Sequence, residues 1–111
     1  MLASSLAADR RDMDFEWDEA KNLSNQRKHG VSFEEASAVF LDPLYVSVQD
    51  RVEDGETRWQ TLGMVEDLLL LTVAHTVRET SDEGITVEVI RIISARPATR
   101  KERRRYEDEN S

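Results

Sequence analysis

The stretch "RKHGVSFEEA", residues 27–36, joins the end of one predicted helix to the start of the next. Gly30 suits the position just after a helix, where a left-handed backbone is needed, and the three cations before it lie where the helix dipole favours positive charge. Residues 32–35 have the S-x-x-E spacing of a capping box, which indicates a new helix. The letters "KHG" also allow a second interpretation, in which Lys28 and His29 are catalytic side chains on a turn.

Two helices flank this turn. Asp18 is placed to cap the first helix, "EAKNLSNQRKH", after a short strand in "MDFEW". The predicted buried face of the first helix carries Trp17, Ala20 and Leu23. The second helix covers "FEEASAVFL" and ends before the "DP" pair, because the residue before a proline disfavours helix. The pattern predicts an N-terminal helical hairpin, and the inward residues of its second helix are Phe33, Ala36, Val39 and Phe40.

After Pro43 the hydrophobic period changes to that of strands. "LYVSV", "TRWQTLGMV", "LLLLTVAHTV" and "ITVEVIRIISA" are separated by short acidic turns, which predicts an antiparallel meander with "LYVSV" and "MDFEW" at its edges. Thr99 and Glu102 form a capping box for a last helix, "RKERRRYEDE". Tyr106 is almost its only apolar residue, so the pattern offers no strong reason for tight packing. The predicted fold class is α+β.

Length and composition bound the class of protein. The chain has 111 residues and no cysteine, so we expect one domain over residues 13–111 after a flexible leader at 1–12. No apolar run reaches the 18 residues of a membrane helix, and the first residues lack the apolar core of a signal peptide. A cytoplasmic protein is the default expectation.

The net charge of −8 is unevenly distributed. Residues 91–106 contain seven basic residues and one acid, a local charge of +6, so the remainder of the chain carries −14. A segregated basic segment creates a local field that attracts phosphates or an acidic partner. A merely solvated basic helix explains the same charges.

The sequence offers little for metal or cofactor chemistry. Its two histidines lie on different predicted elements without ligand spacing, and its four glycines form no phosphate-binding loop. We therefore expect no metal and no cofactor. The remaining candidates are polar residues in or beside strands, namely Glu56, Arg58, His75, Arg78, Arg91 and Arg96.

Each candidate also has a purely structural explanation. An ion pair across the sheet, with Glu88 or Glu56, accounts for Arg91, since a charge is costly to bury alone. A half-buried strand histidine accounts for His75, and an edge cation near Glu56 accounts for Arg58. Strict alternation puts His75 and Arg78 on opposite faces. It does the same for the pair Arg91 and Arg96, unless a bulge intervenes.

Together, these residues can supply the acid, the base and the cations that RNA cleavage without a metal requires. The reaction needs a base for the 2′-hydroxyl, cations for the charge that develops on phosphorus, and an acid for the leaving oxygen. Spacing does not say which residue is the base.

Three separated motifs resemble the BrnT toxins of bacterial type II toxin–antitoxin pairs. They are "FEWDEAKNLSNQRKHGVSFEEASAVFLDP", "ETRWQTLG" and "IRIISARPATRKERRRYE", in that order, and the resemblance covers residues 13 to about 107. It implies a RelE-like fold and a growth-inhibiting ribonuclease that is neutralised by a BrnA-like antitoxin encoded beside it. It also implies a toxin–antitoxin assembly that contacts operator DNA mainly through the antitoxin.

The resemblance also implies where the site lies. The active site proposed for the family falls on Lys28 and His29 in "KHG", on Glu56 and Arg58 in "ETR", and on Arg91 and Arg96 in "IRIISAR". His75 and Arg78 look like a version of an "H-T-x-R" ending. Pro97 departs from the pattern, because a basic residue often follows "SAR" in the family.

We therefore expect a metal-independent endoribonuclease. His29 or Glu56 would transfer protons, and the helix dipole, which favours a protonated His29, suits an acid better than a base. Lys28, Arg58 and Arg91 would stabilise the transition state. A basic helical segment would contact RNA or the antitoxin, through Arg100, Lys101, Arg103, Arg104 and Arg105. The alternative is a catalytically inactive module that binds a partner protein or nucleic acid.

Overall fold

The computed structural model describes residues 12–66 and 69–111 of the chain. No helix in these ranges is long and apolar enough to cross a membrane. The elements, in chain order, are β1 (Met13–Glu16), α1 (Glu19–His29), α2 (Phe33–Ser37), a 3-10 helix (Ala38–Leu41), β2 (Val46–Glu53), β3 (Glu56–Val65), β4 (Leu69–Asp82), β5 (Ile85–Pro97) and α3 (Arg100–Glu109).

All five strands form one sheet in the order β1-β5-β4-β3-β2. The predicted α+β class is confirmed, and β2 to β5 form the predicted antiparallel meander with β1 and β2 at the edges. β1 runs parallel to β5, with Met13 opposite Glu88 and Glu16 opposite Arg91. An entirely antiparallel sheet is therefore a wrong prediction for β1. The two strands are far apart in sequence, so no hairpin constrains their relative direction.

Two tight turns set the register of the meander. Asp54 and Gly55 connect β2 to β3, and Glu83 and Gly84 connect β4 to β5; all four have positive φ. Positive φ at both central residues is typical of the two-residue turns whose twist matches that of paired strands. These acidic turns therefore fix the pairing of β2 with β3 and of β4 with β5, and this pairing determines which site residues lie opposite each other.

The main core lies between one face of the sheet and the segment formed by α2 and the 3-10 helix. Phe33, Ala36 and Val39 are fully buried there, as predicted, against apolar side chains of β4 and β5. Gly63 allows this close approach, since a Cβ at that position would lie 2.8 Å from the Val39 carbonyl oxygen and 2.6 Å from its Cγ1. Among the described residues, the opposite sheet face carries a small apolar cluster under α3.

The predicted helical hairpin is not confirmed in that form. α1 follows a strand, and the predicted helix over residues 33–41 is a five-residue α2 continued by a 3-10 helix. The apolar face predicted for this helix is wrong for Ala20, which is exposed, and for Leu23, which is 48% exposed, whereas Trp17 is half-buried and packs against the core. Asn22 and Asn25 are the buried residues of α1. This helix is attached to the sheet largely by hydrogen bonds.

α3 packs more firmly than its charged sequence suggests. Tyr106 is buried beside Leu62 and Leu70, and its hydroxyl donates a hydrogen bond to Asp42. Burial and this hydrogen bond raise the pKa of Tyr106 to about 12. Asp42 also accepts a hydrogen bond from the Met64 amide at 2.7 Å, so one carboxylate joins α3, β3 and the 3-10 helix. Tyr106 and Asp42 therefore attach α3 to the rest of the fold, a contact that the charge pattern of the helix did not indicate.

Most of the predicted flexible leader, residues 1–12, lies outside the described residues. Its last residue, Asp12, accepts a backbone hydrogen bond from Glu88 at 2.9 Å and so continues the pairing of β1 with β5. The domain boundary at residue 13 stays a prediction.

Candidate active site

Five of the predicted site residues project from the sheet face opposite α1 and α2. The pairing of Gln60 with Ala74 puts the even-numbered residues of β3 and β4 on this face. The pairing of Thr76 with Arg91 extends the same face onto β5. We call it the arginine face, and its predicted site residues are Glu56, Arg58, Arg78, Arg91 and Arg96.

A β-bulge in β5 brings Arg91 and Arg96 to the same face. His75 pairs with Ile92 and Ala74 pairs with Ser94, which leaves Ile93 as the extra residue. One inserted residue reverses the alternation beyond it. Arg91 and Arg96 therefore share a face because of the bulge, which was the condition stated for this in the sequence analysis.

Arg58 and Arg91 lie in one row across the sheet. Thr76 pairs with Arg91, and extending the β3–β4 register by one residue puts Arg58 opposite Thr76. Strands are spaced about 4.8 Å apart, so the Cα atoms of the two arginines are separated by roughly 10 Å. Two guanidinium groups at this separation can converge on one phosphate between them.

Glu16 holds two of these arginines in place. Its carboxylate accepts from Arg78 Nη1 at 2.7 Å and lies 3.5 Å from Arg91 Nη1. The hydrogen bond from Arg78 lowers the pKa of Glu16, and the same bond raises the pKa of Arg78. Arg91 was expected to pair with Glu88 or Glu56, and its partner is Glu16 instead, because parallel β1 places Glu16 directly opposite it.

Arg58 and Arg91 are held more loosely than the other two arginines. The nearest carboxylate contacts are 3.7 Å, from Arg58 to Glu53, and 3.5 Å, from Arg91 to Glu16. Arg58 Nε is buried and finds no hydrogen-bond partner among the described residues. The partner of Arg58 is therefore Glu53 across the hairpin, not the expected Glu56. These two guanidinium groups keep donors that an anion can use.

Arg96 serves as a clamp for α3. It donates to both carboxylate oxygens of Glu102, at 2.8 and 2.9 Å. Glu102 also accepts from Thr72 at 2.9 Å and from the amide of Thr99, and these bonds lower its pKa to about 2, with Arg96 the largest cause. Arg96 lies on the predicted face, but the contacts of its guanidinium are structural.

His75 lies on the opposite face, as strict alternation predicts, and not with Arg78. It is 2% exposed, stacks edge-on against Phe40 at a centroid distance of 5.0 Å, and its Nε2 lies 2.6 Å from Thr61 Oγ1. Burial lowers the pKa of His75 to about 4. The structure therefore does not bring the two parts of "H-T-x-R" together in one site.

Lys28 and His29 end α1 at the edge of β5. They line a shallow depression with Ile93 and Ser94, at the bulge and beyond the last residue of β1. Gly30 follows with φ +70°, so the predicted helix end is confirmed. The two residues adjoin the strand segment that separates Arg91 from Arg96.

Asn25 fixes this helix end and was missed by the sequence analysis. Its amide donates to the Ala95 carbonyl at 2.8 Å and accepts from the Ala95 amide at 3.2 Å, as a neighbouring strand would. It also donates to the Val31 carbonyl at 2.9 Å. The only signal in the sequence was that Asn22 and Asn25 share one helix face, a pattern that usually indicates solvent exposure.

The described part of the chain contains no cluster of three or more histidine or carboxylate side chains that suits a metal ion. The described basic residues of the α3 segment are exposed, apart from a half-buried Arg103.

Two comparisons with known proteins give matches to this chain. The model of a family described as the ribonuclease toxin BrnT of a type II toxin–antitoxin system matches residues 17–102. Among solved structures, the crystal structure of the Brucella abortus ribonuclease toxin BrnT matches with a TM-score of 0.53 and 24% sequence identity. That match covers 79% of this chain and 99% of the other, and it supports the fold. No curated protein matches significantly.

Asn25 offers a direct test of how α1 is attached. We expect Asn25→Asp to lower the free energy of unfolding by roughly 2–4 kcal/mol, because it replaces the donor to Ala95 and Val31 with a buried charged acceptor. Urea denaturation followed by circular dichroism measures the change. Ser24→Ala, on the exposed side of the same helix, is the control. Equal midpoints for wild type and Asn25→Asp would contradict the assignment.

The burial of His75 predicts that the folded protein loses stability in acid. The pKa of His75 is lower in the folded protein than the usual 6.5 of an unfolded chain. The contribution of neutral His75 to the free energy of unfolding is therefore complete above pH 6.5 and is lost as the pH falls toward 4. The shift corresponds to roughly 3 kcal/mol. Stability curves between pH 4 and 7 should be flatter for His75→Gln than for wild type. Parallel curves would show that His75 is not buried in its neutral form.

Proposed function

The chain belongs to the BrnT family of type II toxin–antitoxin ribonuclease toxins, and we propose that it is a metal-independent endoribonuclease whose site is the arginine face. In this proposal the protein acts in the cytoplasm, slows growth by cutting RNA and is neutralised by a BrnA-like antitoxin encoded beside it. The observation that carries the proposal is the row containing Arg58 and Arg91, two loosely paired cations on one open face.

The chemistry is a transfer within the RNA strand. The 2′-oxygen attacks the adjacent phosphorus, a base takes its proton, and the 5′-oxygen leaves with a proton from an acid. Charge accumulates on the phosphate oxygens, so cations fixed before the reaction lower the barrier without reorganising. Arg58 and Arg91 fill this role, while Glu16 orients Arg91.

Glu56 and His29 are the proposed proton carriers. Glu56 is exposed on the arginine face, and extending the β3–β4 register puts it opposite Arg78. This position makes it the proposed base. His29, at the edge of β5 next to the bulge, is the proposed acid, and Lys28 beside it adds a cation for the phosphate.

The antitoxin is proposed to bind the basic surface of α3 through acidic residues. Arg100 and Arg104 are exposed on that helix, and oppositely charged surfaces speed association and favour the correct partner. DNA contacts of the assembly would then be made mainly by the antitoxin. We also propose that the fold is of the RelE type.

A second candidate function is a binding module without catalysis. It is favoured by the carboxylate pairing of the arginines, since Glu16, Glu53 and Glu102 together occupy four of them. In that case the arginine face would bind a partner protein or nucleic acid, and the protein would not cleave RNA. Substitutions on this face would then change binding alone.

Removing either loosely paired arginine should separate the two functions. We expect Arg58→Ala and Arg91→Ala each to lower the rate of RNA cleavage by about 10²–10³-fold, because each removes a preorganised donor from the transition state. Cleavage of a defined RNA in the presence of EDTA is the measurement. Arg27→Ala, an exposed arginine outside the site, is the control. Wild-type rates in both variants would refute the assignment, and the absence of cleavage by wild type would favour the binding module.

The roles of Glu56 and His29 can be distinguished by the leaving group. A 5′-thio-substituted RNA releases a thiolate that needs no acid. We expect His29→Ala to cleave ordinary RNA about 10²–10⁴-fold more slowly but to recover on the thio substrate. Glu56→Gln should be slow on both. Recovery of Glu56→Gln, or failure of His29→Ala to recover, would reverse or remove these roles.

A further inference from the structure

A cleft separates α3 from the arginine face at β2 and β3. Its volume is about 260 Å³, slightly below the range of pockets that hold drug-sized ligands. Apolar side chains form part of its wall, and polar and charged groups complete it. The residues that line it are Val48, Gln60, Leu62, Lys101, Glu102 and Arg105.

Three polar groups of this cleft are available to a ligand. The ion pairs among the described residues involve Arg51, Arg58, Arg78, Arg91 and Arg96, which leaves Lys101 and Arg105 without one. The half-buried Gln60 side chain forms no hydrogen bond within residues 12–66 and 69–111. Glu102, the one acid in the cleft, is already bonded to Arg96 and Thr72.

The cleft adjoins the proposed reaction centre. Gln60 follows Arg58 by two residues on β3, so both side chains leave the same face with Cα atoms about 6.6 Å apart. On the other side, the cleft is lined by Glu102, which is paired with Arg96. A phosphate at Arg58 and Arg91 therefore leaves Gln60 and the cleft within reach of the neighbouring nucleotide.

We propose that this cleft binds one unpaired base of the RNA substrate and that Gln60 determines which base is preferred. The inference rests on the proposed ribonuclease function, because it assigns the cleft to the nucleotide next to the cleaved phosphate. Sequence-specific binding of RNA uses unstacked bases whose faces contact side chains and whose edges are hydrogen-bonded.

The side chains match the parts of a nucleotide. The half-buried side chain of Val48 contacts the face of the base above the buried Leu62, and the Gln60 amide offers a donor and an acceptor to its edge. Lys101 and Arg105 bind the next phosphate, where the local positive charge of α3 meets the negative charge of RNA. Base preference and phosphate affinity thus reside in different residues.

The first experiment needs no catalysis. The four ribonucleoside 3′-monophosphates are titrated into the intact protein and followed by NMR. We expect shifts at Gln60, Val48 and Leu62 and affinities that differ between bases by roughly 5- to 100-fold. Gln60→Ala should make the four affinities equal. Gln49→Ala, the same change on the opposite face of the sheet, should not. The absence of shifts in the cleft overturns the inference.

The phosphate contacts give a complementary result. Lys101→Ala combined with Arg105→Ala should weaken all four nucleotides by the same factor and reduce the salt dependence of binding, with base preference unchanged. Arg104→Ala on the same helix is the control for loss of charge. A change of base preference in the double variant would contradict the division of roles.

Mapping of cleavage sites separates this inference from the proposed function. If wild type cuts RNA and Gln60→Ala cuts at altered flanking bases, both are supported. Cleavage with unchanged flanking bases in Gln60→Ala overturns the inference alone. Nucleotide binding in the cleft without any RNA cleavage overturns the ribonuclease proposal and leaves a base-binding cleft.

Discussion

The arrangement of the site depends on the pairing of Asn25 with the backbone of Ala95. At the edge of β5, just after the bulge at Ile93, the buried amide of Asn25 forms the two backbone hydrogen bonds that a neighbouring strand would form. Loss of a buried hydrogen-bond partner costs about 1–3 kcal/mol per group, so this contact outweighs the weak apolar packing of α1. It places the helix end with Lys28 and His29 against the same strand that carries Arg91.

The acidic character of the protein is compatible with a phosphate site because of how its charges are paired. Long, partly exposed ion pairs contribute only about 0–1 kcal/mol, so in the proposed site Glu16 and Glu53 orient Arg91 and Arg58 without competing strongly with the phosphodiester, whose negative charge grows in the transition state. The bidentate pair of Arg96 and Glu102 is shorter and half-buried and serves to hold α3. Geometry thus distinguishes the loosely paired Arg58 and Arg91, which are the proposed substrate ligands, from Arg96, which holds α3.

The sequence predicted what local chemistry determines. The caps at Asp18, Ser32 and Thr99 and the meander follow from short-range patterns, and the structure contains them. Long-range features were not predictable. The parallel direction of β1, and with it the pairing of Glu16 and Arg91, has no local signal. The sequence did not indicate whether β5 contains a bulge, only what a bulge would do to Arg91 and Arg96. The family resemblance suggested His75 as a site residue, but His75 is buried on the other face of the sheet.

In the proposed function, RNA is cleaved on the arginine face between Arg58 and Arg91. The most direct test is a crystal structure of the protein with a short RNA whose 2′-hydroxyl is methylated at the cleavage site. We expect both guanidinium groups to contact the scissile phosphate, with Glu56 next to the methylated oxygen. A phosphate bound on the face that carries His75, or at α3 away from both arginines, would contradict it.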